Sequence, residues 1–197
     1  MKPVNQNFVS IQLPLGGHSF SSSDIRGIAP NKSTNVYAVV DTAKCVVLPR
    51  EHIDFEHVED ALRSCGITLR SDEVAVCSTD APMMAVMAVN AKCLATLALE
   101  YGSRLRFTSP ILNCPMPDHG SVIYLSSTSN VLYVRVADGG LKFIETMEVE
   151  SDADILYMLE NINKVYNIYN MYARAEGDTR RLLSLCKRLF SKMVCEL

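Results

Sequence analysis

The stretch from 121 to 166 constrains this chain more than any other. It reads SVIYLSS, a Thr128-Ser129-Asn130 break, VLYVRVA, an Asp138-Gly139-Gly140 break, and LKFIETMEV. Apolar runs of strand length separated by turn residues this short fold back on one another, because a two- or three-residue link cannot span a crossover. A three-strand antiparallel meander over 121–127, 131–137 and 141–149 follows. Ser151-Asp152-Ala153-Asp154 then offers a side-chain acceptor and an acid three residues on, the start signal of a helix. Ile155, Met158, Leu159, Ile162, Val165 and Tyr166 keep a 3.6-residue period after it.

The rest of the chain takes its order from similar signals. A strand over 168–175 and a turn at Gly177-Asp178 lead into a last helix, with Leu182, Leu185, Cys186, Leu189 and Met193 on its inner face. Upstream, 8–20 reads as a hairpin turning at Gly16-Gly17, 21–34 as loop, and 35–41 and 44–48 as Val-rich strands. Asp54 caps a helix carrying Phe55, Val58, Leu62 and Cys65 that stops at Gly66. A strand over 73–79 precedes the apolar run 81–99, and another strand covers 105–108. The run 81–99 is nearly long enough to cross a bilayer, but Asn90 and Lys92 sit near its middle. A central Lys costs about 2.5–3.5 kcal/mol on insertion, so it is expected to be a helix buried between protein layers or at a dimer seam. Pro110, Pro115, Pro117 and Gly120 mark a joint, which divides the chain into lobes 1–114 and 115–197.

Composition narrows the function classes. Nineteen Lys+Arg against 22 Asp+Glu give a net charge of −3, which excludes a chain held throughout by nucleic-acid phosphates. The seven cysteines are odd in number and form no CxxC pair, so free buried thiols in a reducing cytoplasm are expected. The apolar run near the start is short and broken by Ser10, Gln12 and Pro14, too polar for a signal-peptide core.

Three segments carry a family resemblance: FVSIQLPLGGHSFS, KCVVLPREHIDFEHVEDALRSCG and SVIYLSSTSNVLYVRVADGGLKFIETMEVESDADILYMLENI. In order along nearly the whole chain they resemble a bacterial domain-of-unknown-function family with an actin-like ATPase fold. The resemblance implies an α/β protein of two ribonuclease-H-like lobes, each a strand meander followed by helix, strand and helix. It implies a fold and no assigned reaction.

Actin-like ATPases grip phosphate with hairpin N–H groups and hold Mg²⁺ or water with acids. Here the first hairpin has Gly16, Gly17 and His18 but no acid before the glycines, and the turn at 128–130 has neither acid nor glycine. Asp138, Gly139 and Gly140 have the right residue types one turn late. No catalytic residue, metal site or cofactor is therefore assigned. A non-catalytic binding or scaffolding protein is the expectation, and a reduced ATPase using ATP with Mg²⁺ at the Gly16–Gly17 and Asp138–Gly140 turns is the alternative. His52, Asp54, Glu56, His57, Glu59 and Asp60 are read as a corner and a solvated helix face rather than as metal ligands. Arg174, Arg180, Arg181, Lys187, Arg188 and Lys192 form a basic face on the last helix and the strand before it. That face is the candidate contact for a protein partner or, as a third reading, for RNA.

Overall fold

The structure is a computed structural model that describes residues 9–14, 35–78, 82–113, 120–128 and 130–195. The chain divides into two units, Met1–Ser109 and Pro110–Leu197. It is mixed α/β throughout.

The first unit contains β1 (Val9–Pro14), β2 (Val36–Asp41), β3 (Cys45–Pro49), α1 (Glu59–Ser64), β4 (Glu73–Cys77), β5 (Met83–Asn90), α2 (Ala91–Tyr101) and β6 (Leu105–Thr108). Among the described residues these strands make two three-stranded sheets. One is parallel, ordered β1-β2-β6, and Val36, Ala38 and Val40 of its central strand are completely buried. The other is antiparallel, ordered β3-β5-β4. Here Ile53, Leu62, Met84, Val86 and Ala88 form a core between sheet and α1.

Three expectations change in this unit. The run 81–99 is not one helix: β5 takes its first half and α2 its second. β5 is the middle strand and residues 84–89 are all buried, so both faces are apolar and the alternation that marks a strand is lost. Asn90 makes the switch, its side chain accepting from Lys92 N–H (3.0 Å) and Cys93 N–H (3.2 Å) as the cap of α2. The helix expected from Asp54 begins only at Glu59, because Asp54 accepts from Glu56 N–H (2.9 Å) and lies 3.1 Å from His57 Nδ1, closing a local turn. Finally, no meander is found here among the described residues: β1 runs parallel to β2, and β2 and β3 belong to different sheets. The Gly16–Gly17 turn lies outside the described residues.

The second unit contains α3 (Pro110–Asn113), β7 (Ser121–Ser127), β8 (Val131–Asp138), β9 (Leu141–Glu148), α4 (Asp152–Tyr166), β10 (Tyr172–Gly177), α5 (Thr179–Cys186) and β11 (Lys192–Cys195). One five-stranded sheet runs β11-β10-β7-β8-β9. β7, β8 and β9 form the antiparallel meander, and β10 and β11 add in parallel on the other side. Ile123, Leu125, Leu132, Val134, Val136, Ala173 and Ala175 share one face and pack with Ile155, Leu159 and Ile162 of α4 and Leu182 and Cys186 of α5.

Two boundaries move. The strand expected over 168–175 starts at Tyr172, after a single 3-10 turn at Ile168–Asn170 that follows Asn167 in the left-handed conformation (φ 52°). The last helix stops at Cys186, and Met193 belongs to β11. The apolar period across 182–193 continues through a turn because Phe190 and Met193 still face the same core.

Cys45, Cys65, Cys77, Cys93 and Cys186 are free thiols. Burial pushes the Cys186 thiol up to about 11, while Cys65 is exposed. Among the described residues no helix is long and apolar enough to cross a membrane.

Candidate functional site

In a sheet with parallel strands, ligands gather beyond the carboxyl ends of those strands, where helix N-termini also point. In the second unit that end is built from β7, β10 and the starts of both long helices. Gly177 pairs with Ser127, and Asp178 N–H donates to Ser127 O at 2.7 Å. Gly177 has φ +71°, and a Cβ there would lie 2.3 Å from Ser127 O, so only glycine lets the strands meet this closely. The sequence reading gave Gly177-Asp178 as the turn into the last helix and assigned no site role to it or to Glu176. The neighbouring strand supplies the acid and glycine that the 128–130 turn lacks.

The helix starts at this end are satisfied from within the chain. Asp178 Oδ1 accepts from Arg181 N–H (3.1 Å) as the cap of α5. Ser151 and Asp154 cap α4 reciprocally, Asp154 Oδ2 accepting from Ser151 N–H (2.8 Å) and Glu150 N–H (3.0 Å). The Ser151 hydroxyl and these N–H groups hold the Asp154 carboxyl below the ordinary aspartate range. Arg181 Nε meets Asp152 Oδ1 at 2.7 Å, tying the two starts together. Carboxylates therefore occupy the positions where an incoming anion would find N–H donors.

Asp138, Gly139 and Gly140 lie at the opposite end. Asp138 pairs with Ser121, the first residue of β7, and accepts from Ser121 Oγ at 2.6 Å. Its N–H donates to Gly140 O (2.8 Å), closing a turn with Gly139 at φ 62° and Gly140 at φ 148°. A seven-residue strand, roughly 20 Å at about 3.3 Å per residue, separates it from Ser127. It does not complete a site there.

Gly16, Gly17 and His18 lie outside the described residues. Beside them in sequence, however, Pro14 pairs with Asp41 at the carboxyl end of β2. Asp41 is buried, and the adjacent Thr42 Oγ1 accepts from Lys44 N–H at 3.0 Å. Sequence reasoning missed this acid. Its signal was an Asp closing a Val-rich run.

The six basic residues do not form one face. Arg174 lies on β10, with its guanidinium 5.7 Å from the Tyr124 ring and 5.9 Å from the Tyr172 ring. Arg181 is held by Asp152. Lys192 sits on β11 opposite Tyr172, on the sheet face away from α5, and Arg188 is exposed in the turn after the helix. Arg180 on α5 and Lys187 just past its end border a groove of about 600 Å³. Leu183, Phe190 and Met193 supply its apolar lining, and Leu183 is exposed. The groove runs from α5 to β11, the last strand of the sheet. Among the described residues no three His, Cys, Asp or Glu side chains come together as metal ligands.

No family model and no curated protein matches this sequence. Solved structures do match it. A Bacteroides thetaiotaomicron protein with actin-like ATPase fold and unknown function aligns over 97% of this chain and 91% of its own, with a TM-score of 0.69 and 13% identity. The cytoplasmic domain of EpsL from the Vibrio cholerae type II secretion system (TM-score 0.40, 16% identity, 77% of this chain and 63% of that one) and the PilM–PilN type IV pilus biogenesis complex (0.42, 13%, 81% and 68%) are more distant. The chain has the actin-like ATPase fold of the Bacteroides protein.

Proposed function

We propose that this chain is a non-catalytic binding or scaffolding protein of the cytoplasm, built on two ribonuclease-H-like lobes, 1–114 and 115–197. On this reading it engages a protein partner through the groove between α5 and β11. The strand order β9-β8-β7-β10-β11, three antiparallel and then two parallel, supports the lobe assignment for the second half. The observation that carries the function is a contrast of satisfaction. At the carboxyl end of the sheet the helix starts are capped by the chain's own carboxylates. At the groove, Arg180 and Lys187 pair with no described acid and flank exposed apolar surface. Cations that pair with no described acid, set around an apolar floor, are the composition of a contact surface. The test is recovery of a bound protein from the native cell by the intact chain and by the Arg180→Glu/Lys187→Glu variant. A partner retained equally by both sinks the reading.

Asp41 favours a second reading, a reduced nucleotide-binding ATPase that uses the carboxyl end of the β1-β2-β6 sheet. Thermal stability measured with and without ATP and Mg²⁺ separates the two. The scaffold reading expects no shift, whereas a Mg²⁺-dependent rise lost in Asp41→Asn would establish the second.

A further inference from the structure

Resting on the groove reading, we infer that the partner segment is an extended, acidic–apolar strand that adds to the outer edge of β11. β11 pairs with β10 on one side, and among the described residues no strand pairs on the other. Among the described residues its outer edge therefore has ladder positions that no strand fills, the template for strand addition. The side chains around that edge specify what fits. Met193 turns toward α5 and the groove, where Leu183 and Phe190 supply apolar surface and Arg180 and Lys187 supply charge. Lys192 and Val194 turn to the opposite face, opposite Tyr172 and Arg174, and Val194 is 42% exposed. An added strand sends alternate side chains to each of these faces. Each face offers an apolar contact and a cation, so the complementary strand carries carboxylates and branched apolar residues on both.

The same charges argue against the commonest rival occupant. Two copies meeting β11 to β11 would bring Lys192, Arg188 and Lys187 together, and like charges across a ladder repel. Double-helical nucleic acid offers no strand to the edge. The other edge strand, β9, carries Glu145 and Glu148 and would repel the acidic segment that β11 accepts.

The test uses the full chain and a fluorescent peptide of Glu-Glu-Val-Val repeats, which places both residue types on each face of a strand, about eight residues long. Binding is read by anisotropy. We expect saturable binding that weakens with salt, falls about tenfold or more in Arg180→Glu/Lys187→Glu, and is lost when alternate peptide nitrogens are methylated in the register that faces β11. A Lys–Val peptide should not bind. Equal binding of both methylated registers and the unmethylated peptide overturns strand addition, since charge alone would then suffice. So does equal binding of the Lys–Val peptide, preferential binding of single-stranded RNA lost in the same variant, or self-association by sedimentation that the variant abolishes. If the peptide fails to bind while the native-cell partner still depends on Arg180 and Lys187, the strand model fails and the groove reading stands.

Discussion

The two ends of the five-stranded sheet carry nearly the same letters and face different demands. Asp138-Gly139-Gly140 closes one end and Glu176-Gly177-Asp178 the other. At Gly139 and Gly140 a Cβ would meet nothing within 4 Å, so glycine answers only a turn's backbone angles. At Gly177 the backbone of Ser127 fills the space where a Cβ would go. The difference is set by what lies beside each tripeptide: solvent at a hairpin tip, a parallel neighbour at a strand-to-helix junction. Glycines at a phosphate-binding turn and glycines at a tight strand crossing look alike in sequence, and only the neighbouring strand tells them apart.

Gly177→Ala should produce the largest effect. Left-handed strain and overpacking against Ser127 together should cost roughly 2–5 kcal/mol, against about 1 kcal/mol for Gly139→Ala, where only strain applies. Denaturant midpoints of the two variants measure the gap, and equal losses would erase the distinction between the ends. Asp178→Ala should cost about 1 kcal/mol by uncapping α5; if it costs nothing, the carboxylate is not spent on the helix.

Glu145, an exposed residue on β9 between the two ends, tests partial desolvation rather than geometry. Desolvation raises its pKa, so the ionised folded state carries a cost that is complete above the folded pKa and absent below the unfolded one. Glu145→Gln should therefore stabilise at pH 7, by about 0.5 kcal/mol or less, with the gain vanishing on acidification. A gain independent of pH would point to packing instead. Asp154 has the opposite sign. Its lowered pKa gives stability present above the ordinary aspartate range and lost as pH falls through the folded value. The gap between the intact chain and Asp154→Asn should be the smallest of these effects and should close toward low pH; a gap that persists there would assign it to something other than charge.

Legibility followed exposure. The meander and α4 can be read because β7, β8 and β9 are joined by short polar breaks and Ser151–Asp154 announces the helix chemically. β5 cannot, because burial on both faces removes the period that separates strand from helix. The groove was half legible. Arg180 and Lys187 stand out as charges, but their partnership with Phe190 and Met193 depends on the chain turning back after Cys186, and nothing in the helical period signals that turn. The surroundings of Asp41 and Gly177 were hidden for a common reason: their neighbours, Pro14 and Ser127, are remote in sequence and arrive only through parallel pairing.

Asn90 closes β5 opposite Glu73, and its side-chain oxygen starts α2, with Asp72 Oδ2 accepting from its amide at 3.0 Å. One residue thus reports two alignments at once. If β5 slid by a single position against β4, its side chains would change faces, and the amide that organises α2's first turn would move away with them. Proofreading of the sheet is in this way delegated to a helix that forms no part of it.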